Sequence, residues 1–446
     1  MSLQRYPKYK DSGVEWLGEV PDGWEVIRLS RITWVRARLG WKGLKADEYV
    51  EDGFAFLATP NIKGRQIDFE NVNQISKARF DESPEIKLSV GDVLLAKDGS
   101  TLGIVNVVKS LPRATTVNSS IAVITPNKKL LGEYLCFSFQ SSYLENTIQL
   151  LKGGMGVPHL FQDDINRFLI PLPPLPEQTA IAAFLDRETG KIDALVSEQE
   201  KLIALLKEKR QALISHAVTK GLDPKAKMKD SGFEWLGEVP EGWEVRPIKT
   251  WFDTRSGGTP DTGKRDIYYT DENGIPWIRS TDLNNDRLTT HELTITELGM
   301  KNSACELIPS ESVLIAMYGG DGTVGKNALL LKAACINQAV CALLPNSHFD
   351  FNFSFRYFQF YRPYWMIGAE SSRKDPNISQ ALIRNSPIVR PPLPEQTAIS
   401  AFLDRETGKI DALMQEAERG IELLKERRSA LISTAVTGKI DVRGLG

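Results

Sequence analysis

With 446 residues the chain is too long for one ordinary core and has room for two to four domains. Hydrophobic residues at 41% and charged residues at 25% match a soluble globular protein, and no run of about 18 apolar residues offers a membrane span. A formal net charge of -2 excludes a uniformly basic nucleic-acid coat but leaves room for basic clusters balanced by acidic residues elsewhere.

Residues 1–23 read as an N-terminal strap. The opening MSLQRYPKYKDSG has no apolar core followed by a small-residue cleavage site, so no secretory signal is expected and the cytoplasm is the expected compartment. Residues 24–172 read as a first α+β domain. Its entry, Val26 to Ala46, holds Arg36, Arg38, Lys42 and Lys45 with Trp34 and Trp41 and no acidic residue before Ala46, a set able to neutralise phosphates and place planar groups near bases. Lys63 and Arg65 join these candidates. Short β-type runs follow (DVLLAKDGS, IVNVVKS, SIAVITP), with Lys97, Ser100 and Thr101 in a glycine loop and helical signals around Leu130 to Ile148.

Residues 173–222 carry a long helical pattern, from Pro176 to about Thr219, entered through prolines and left through Gly221 and Pro224. A mostly apolar stripe at 3-4 spacing follows Ile192, Leu195, Gln199, Leu202, Leu206, Lys209 and Leu213, widened by Val196, Ile203 and Leu205. At 1.5 Å per residue such a helix is roughly 60 Å long and needs a partner. Gly190 within it, like Gly408 in the later helical copy, predicts a bend or a close helix contact.

From here the chain repeats itself. KDSGVEWLGEVPDGWEV (Lys10 to Val26) returns as KDSGFEWLGEVPEGWEV (Lys229 to Val245), and PPLPEQTAIAAFLDRETGKIDAL (Pro173 to Leu195) returns from Pro391 to Leu413 with one change, Ala182 to Ser400. Residues 223–242 are thus a linker strap, 243–390 a second domain, and 391–446 a second helix, from Pro394 to about Thr437, with a C-terminal tail. Between the repeated segments the apolar pattern and turn residues persist while polar residues diverge, as expected of one fold with two binding surfaces. The second helix is the natural antiparallel partner of the first, giving a pseudo-twofold coiled coil that separates two similar globular domains.

In the second domain Arg255, Ser256, Thr259, Lys264, Arg265, Arg279 and Thr281 mix donors and acceptors in loops, as base readout requires, and Tyr318, Lys326, Arg373 and Lys374 complete the candidates. GDGTVGKN (Gly320 to Asn327) approaches a phosphate-binding loop, but Asn327 stands where a hydroxyl is needed and a strand-like run follows instead of a helix. Cys136, Cys305, Cys335 and Cys341 lack CxxC spacing and read as buried free thiols, and the dispersed His159, His216, His291 and His348 give no metal site or catalytic triad. No methyltransferase glycine motif or Asn/Asp-Pro-Pro-aromatic tetrapeptide occurs, so no catalytic residue is expected.

GWE (Gly23 to Glu25, Gly242 to Glu244), GDVL (Gly91 to Leu94) and PLPEQ ahead of each helix together resemble the DNA specificity subunits of type I restriction-modification systems. That resemblance covers essentially the whole chain. It implies a non-catalytic, sequence-specific subunit of a bacterial or archaeal complex, with two target recognition domains each reading one half of a bipartite, asymmetric site in double-stranded DNA. It further implies that the paired helices set the unread spacer and dock two modification (methyltransferase) subunits. S-adenosylmethionine, ATP and Mg would then reside on those and on the restriction subunits, and none on this chain. The KDSG...GWEV segment reads as a strap joining each domain to the opposite end of the helical pair.

Overall fold

In the computed structural model the two repeated helical segments are single helices, Leu175–Lys220 and Leu393–Val436. The structure describes residues 4–37, 44, 46–151, 159–271, 273–319, 322–369 and 377–444. It divides into two units, residues 1–200 with 418–446 and residues 201–417, so each long helix contributes to both.

In the first unit, strands Thr33–Arg36, Ile121–Pro126, Val93–Ala96 and Val105–Val107 lie side by side in that order. A three-stranded sheet pairs Tyr49–Leu57 with Asn73–Ile75 on one side and, in parallel, with Thr115–Val117 on the other. The predicted helical signal near Leu130 resolves into Gly132–Phe139 and Ser142–Leu151. The core beneath the first sheet joins Val93, Leu95, Tyr134 and Leu135 to Ile181 and Leu185 of the first long helix and Ile432 and Val436 of the second. Arg428 Nε meets Asp193 Oδ1 at 2.9 Å. Index rises along one helix as it falls along the other, so the two run antiparallel here.

The second unit repeats this plan. Thr254–Ser256, Val340–Leu343, Val313–Ala316 and Asn327–Leu330 form the corresponding order, extended at its edge by Asp286–Leu288. A parallel pair, Ile275–Ile278 with Cys335–Ile336, corresponds to the first unit's parallel pair. Helix Phe351–Ala369 supplies Phe353, Tyr357, Phe358 and Trp365 to a core shared with Ile214 and Val218 of the first long helix and Ile399 and Leu403 of the second. Arg210 Nε meets Asp411 Oδ1 at 2.8 Å, which is the same ion pair as Arg428–Asp193 carried into the other copy.

Covered positions on the first long helix recur as Ile192, Val196, Gln199, Ile203, Leu206, Arg210, Leu213 and Ala217, an alternating four-three spacing. This corrects the stripe read from sequence: Leu195, Leu202 and Leu205 are exposed, as is Lys209, and the neighbouring Val196, Ile203 and Arg210 take the covered positions. The second helix repeats the seam at Ile410, Met414, Ala417, Ile421, Leu424, Arg428, Leu431 and Ala435.

The repeated motifs are the joints. Gln178 of the first PLPEQ is fully buried; its Oε1 accepts from Leu131 N at 2.8 Å while Nε2 donates to Lys129 O and Pro173 O at 2.9 and 2.8 Å. Gln396 makes the same three bonds, accepting from Asp350 N at 2.8 Å and donating to His348 O and Pro391 O at 3.0 and 2.8 Å. A buried amide with all these groups satisfied fixes the angle at which domain meets helix.

Each strap is a hairpin, Tyr9–Asp11 with Glu19–Pro21 and Met228–Asp230 with Glu238–Pro240. Lys439 Nζ donates to Leu17 O and Glu19 O, at 3.3 and 2.6 Å, and Lys220 Nζ donates to Leu236 O and Glu238 O. Among the described residues each strap therefore closes on the C-terminal end of a long helix, or the turn just after it, inside the unit of the domain it precedes, and not on an opposite end as read from the sequence. Asp441 N donates to Gln4 O at 2.8 Å in the first unit. All four cysteines are buried and free, and no helix among the described residues is long and apolar enough to cross a membrane.

Candidate nucleic-acid interface

In each domain one edge of the main sheet gathers several of the sequence candidates. In the first, strand Thr33–Arg36 ends at Ala37, strand Val93–Ala96 ends at Lys97, and Leu160 N donates to Lys97 O at 2.9 Å, drawing His159 to Asp163 alongside. Ala37, Lys97, His159, Phe161, Gln162 and Asp163 line a cavity of about 340 Å³ there. Ser100 is exposed on the adjoining turn, and Thr101 Oγ1 donates to Asp98 O at 3.2 Å. Lys97 is largely covered and lies 3.4 Å from Asp98, whose carboxylate also holds the His159 ring nitrogen Nδ1.

The second domain builds the same edge. Met317 takes the place of Lys97, and Ile378 N donates to Met317 O at 2.8 Å. Asn337 N donates to Ile278 O at 2.9 Å as Asn118 N does to Leu57 O at 2.8 Å, so the loop between them is held alike in both copies. Exposed on this edge are Arg255, Thr259 and Tyr318; Thr259 Oγ1 donates to Gln338 Oε1 at 2.5 Å, and half-buried Ser256 donates to Gln338 O at 3.4 Å. Exposed Thr281 belongs to the turn Ser280–Asp282, and a Cβ on Gly319 would lie 3.2 Å from Ser280 Oγ, so this turn adjoins the Tyr318 loop.

Other candidates are placed elsewhere. Arg36 is 8% exposed: Nη2 binds both Asp92 oxygens at 3.0 Å, Nη1 donates to Glu85 O and Lys87 O at 3.0 and 3.2 Å, and Nη2 also reaches Thr125. It is tied into the core, and a buried guanidinium gives up such partners only at a large cost, so its position departs from the exposed one expected from the sequence. Arg65 turns to the first long helix, where Nη2 donates to Asp186 O at 2.6 Å, while Lys63 is exposed beside it. Arg279 is committed to Asp282 at 3.0 Å and to Glu292 at 2.5 Å, and the Asp282 hydrogen bond raises its pKa first. Lys264 and Arg265 are exposed over Tyr268 and Tyr269 on the short segment Thr262–Tyr268, and Lys326 is half-buried behind the Tyr318 loop. Arg38, Trp41, Lys42, Lys45, Arg373 and Lys374 lie outside the described residues.

Residues that sequence reasoning missed are His159, Phe161 and Gln338. The aligned segments GVPHLFQDDI and DPNISQALI, and VNSSIAV and INQAVCAL, held the signal, because each keeps its apolar frame and changes the residues between. The near phosphate-binding loop is not one: Asn327 is fully buried, its Nδ2 donates to Phe355 O at 3.3 Å, and strand Asn327–Leu330 follows. Among the described residues no group of three or more His, Cys, Asp or Glu side chains is placed to hold a metal ion.

The sequence pattern described as the type I restriction modification DNA specificity domain matches twice, at residues 21–204 and 240–423. The chain belongs to the type I restriction-modification DNA specificity family. It is a non-catalytic specificity subunit. Among its relatives, the putative type I restriction enzyme MjaX specificity subunit of Methanocaldococcus jannaschii is 24% identical over 436 residues, covering 96% of each chain. The EcoKI specificity subunit of Escherichia coli is 26% identical over 211 residues, 47% of this chain and 45% of that one. Its fold is shared with a chain from a structure describing complex assembly and conformational transition of the type I restriction-modification system, at a TM-score of 0.68 and 21% identity over 94% of this chain and 99% of that one. The HsdS subunit of Thermoanaerobacter tengcongensis gives 0.52 and 20% identity over 94% of this subunit and 98% of that one.

Proposed function

We propose that this specificity subunit reads a bipartite, asymmetric sequence in double-stranded DNA, one half with each domain, and that its long helices set the spacer and dock two modification subunits. The observation that carries this reading is the pair of matching sheet edges: equal backbone scaffolds present Lys97-Asp98 and His159 in one domain and Met317-Tyr318 and Asn377 in the other. Different donors and acceptors on one frame suit two different half-sites. Exposed leucines recur at matched places on the two helices, Leu175 and Leu393, Leu195 and Leu413, Leu205 and Leu423. Matched exposed leucines on the two helices suit two copies of one partner. Restriction subunits join that complex, and S-adenosylmethionine, ATP and Mg act on the partner chains.

The test is a gel shift of the subunit, with and without modification subunits, on a randomised DNA pool. A single bipartite sequence is the expected selection. Enrichment of no sequence by the assembled complex would contradict the reading.

A further inference from the structure

The repeat supplies an internal comparison: where two copies of one scaffold keep a backbone contact and change the side chains it presents, the changed side chains are free of the fold's demands. At the sheet edge the conserved contact is Leu160 N to Lys97 O in one copy and Ile378 N to Met317 O in the other. The flanking positions differ in kind. Asp98, His159 and Phe161 of the first domain correspond in sequence to Tyr318, Asn377 and Ser379 of the second. Phe161 is 63% exposed, a large apolar cost that the fold does not require, since Ser379 serves at the same place. Its ring meets the His159 ring edge-on with centroids 4.4 Å apart, which holds it upright beside the cavity. Asp98 is held by Lys97 and His159, yet a carboxylate has about four lone-pair sites and keeps acceptor capacity beyond those two.

We propose that Asp98, His159 and Phe161 form the base-reading contact of the first domain, and that Tyr318, Asn377 and Ser379 are its counterpart in the second. This rests on the DNA-reading function proposed above. An acceptor-only carboxylate suits the exocyclic amino group of cytosine or adenine, and an exposed ring suits a thymine methyl. The second domain offers instead a hydroxyl and an amide, each able to donate and accept. Lys97, by contrast, is a positioning residue that holds Asp98.

The experiment is selection from a randomised DNA pool by the subunit assembled with modification subunits. Wild type is compared with Asp98→Tyr/His159→Asn/Phe161→Ser, which carries the second domain's residues onto a frame that already tolerates them, and with Phe161→Ser alone. The expected result is a changed or relaxed preference, at least tenfold, at one or two positions of a single half-site, with the other half-site and the spacer unchanged. An unchanged consensus would overturn the assignment while leaving the bipartite reading intact. So would a variant that loses both half-sites alike or selects nothing, since the residues would then be holding the complex together. If wild type itself selects no bipartite site, the underlying function fails instead.

Discussion

The carboxylates at Asp186 and Asp404 stand at the same place in the repeated helix sequence LDRETGKID, yet each domain grips its own with different cations. Lys109 and Arg65 hold Asp186, at 2.9 and 3.4 Å. Arg287 and Arg356 hold Asp404, at 2.7 and 2.9 Å. Burial alone would raise the pKa of Asp404; Arg356 and Arg287 outweigh it and hold the carboxyl below its ordinary value. Arg356 loses pKa to burial, but arginine stays protonated throughout, so the carboxylate is the group that titrates. With the folded value below the unfolded one, the contribution is complete above about pH 4 and is lost as the pH falls through the folded value. Asp404→Asn is expected to cost about 1–2 kcal/mol, less than a fully buried pair because Asp404 is partly in water, and to flatten the acid limb of a urea-midpoint against pH curve. The two helix glycines make a second residue-scale contrast. A Cβ at Gly190 would strike the Arg65 guanidinium at 1.9 Å, whereas one at Gly408 meets nothing within 4 Å. Gly408→Ala should stabilise by up to about 1 kcal/mol in thermal melts, and Gly190→Ala by less, because Arg65 must leave Asp186. Of the close contact or bend expected at these glycines, the contact occurs at Gly190 alone, and with a domain side chain.

At the scale of elements, the helices were legible to within a residue at each end, because prolines, acidic first turns and a terminal glycine are local signals. The choice between Leu195 and Val196 for the seam was not local. Leucines lie on both flanks of the true line, and only packing against the facing helix and domain decides which flank is covered. Likewise Arg36 sits in a basic run that reads as a surface, and its burial depends on Asp92, 56 positions away in sequence. The candidate loops Lys97 to Thr101 and Ser256 to Thr259 were legible from their turn residues, while His159 and Phe161 required the fold to bring them there. A four-three seam makes a specific demand on insertions. Seven residues added to the middle of both helices keep the seam in register and add about 10 Å, or about three base pairs. Sequencing of methylated sites should then show a spacer longer by about three base pairs with both half-sites unchanged. A single added residue turns the seam by about 100° and should abolish assembly.

For the whole molecule, the near-identical joints and the divergent domains divide the labour. In the second copy Trp243 Nε1 donates to Glu395 Oε2 at 3.0 Å, tying its GWE to its PLPEQ, and Gln178 and Gln396 repeat the same buried bonds in both copies. The Gln178 and Gln396 joints recur in both copies and run to main-chain atoms, so they do not depend on the exposed side chains of the sheet edges. The most direct measurement is the methylated-site sequence produced by a complex in which residues 243–390 are replaced by the corresponding domain of another specificity subunit. The account predicts that one half-site changes while the other half-site and the spacer stay as in wild type; a change in both half-sites would contradict it.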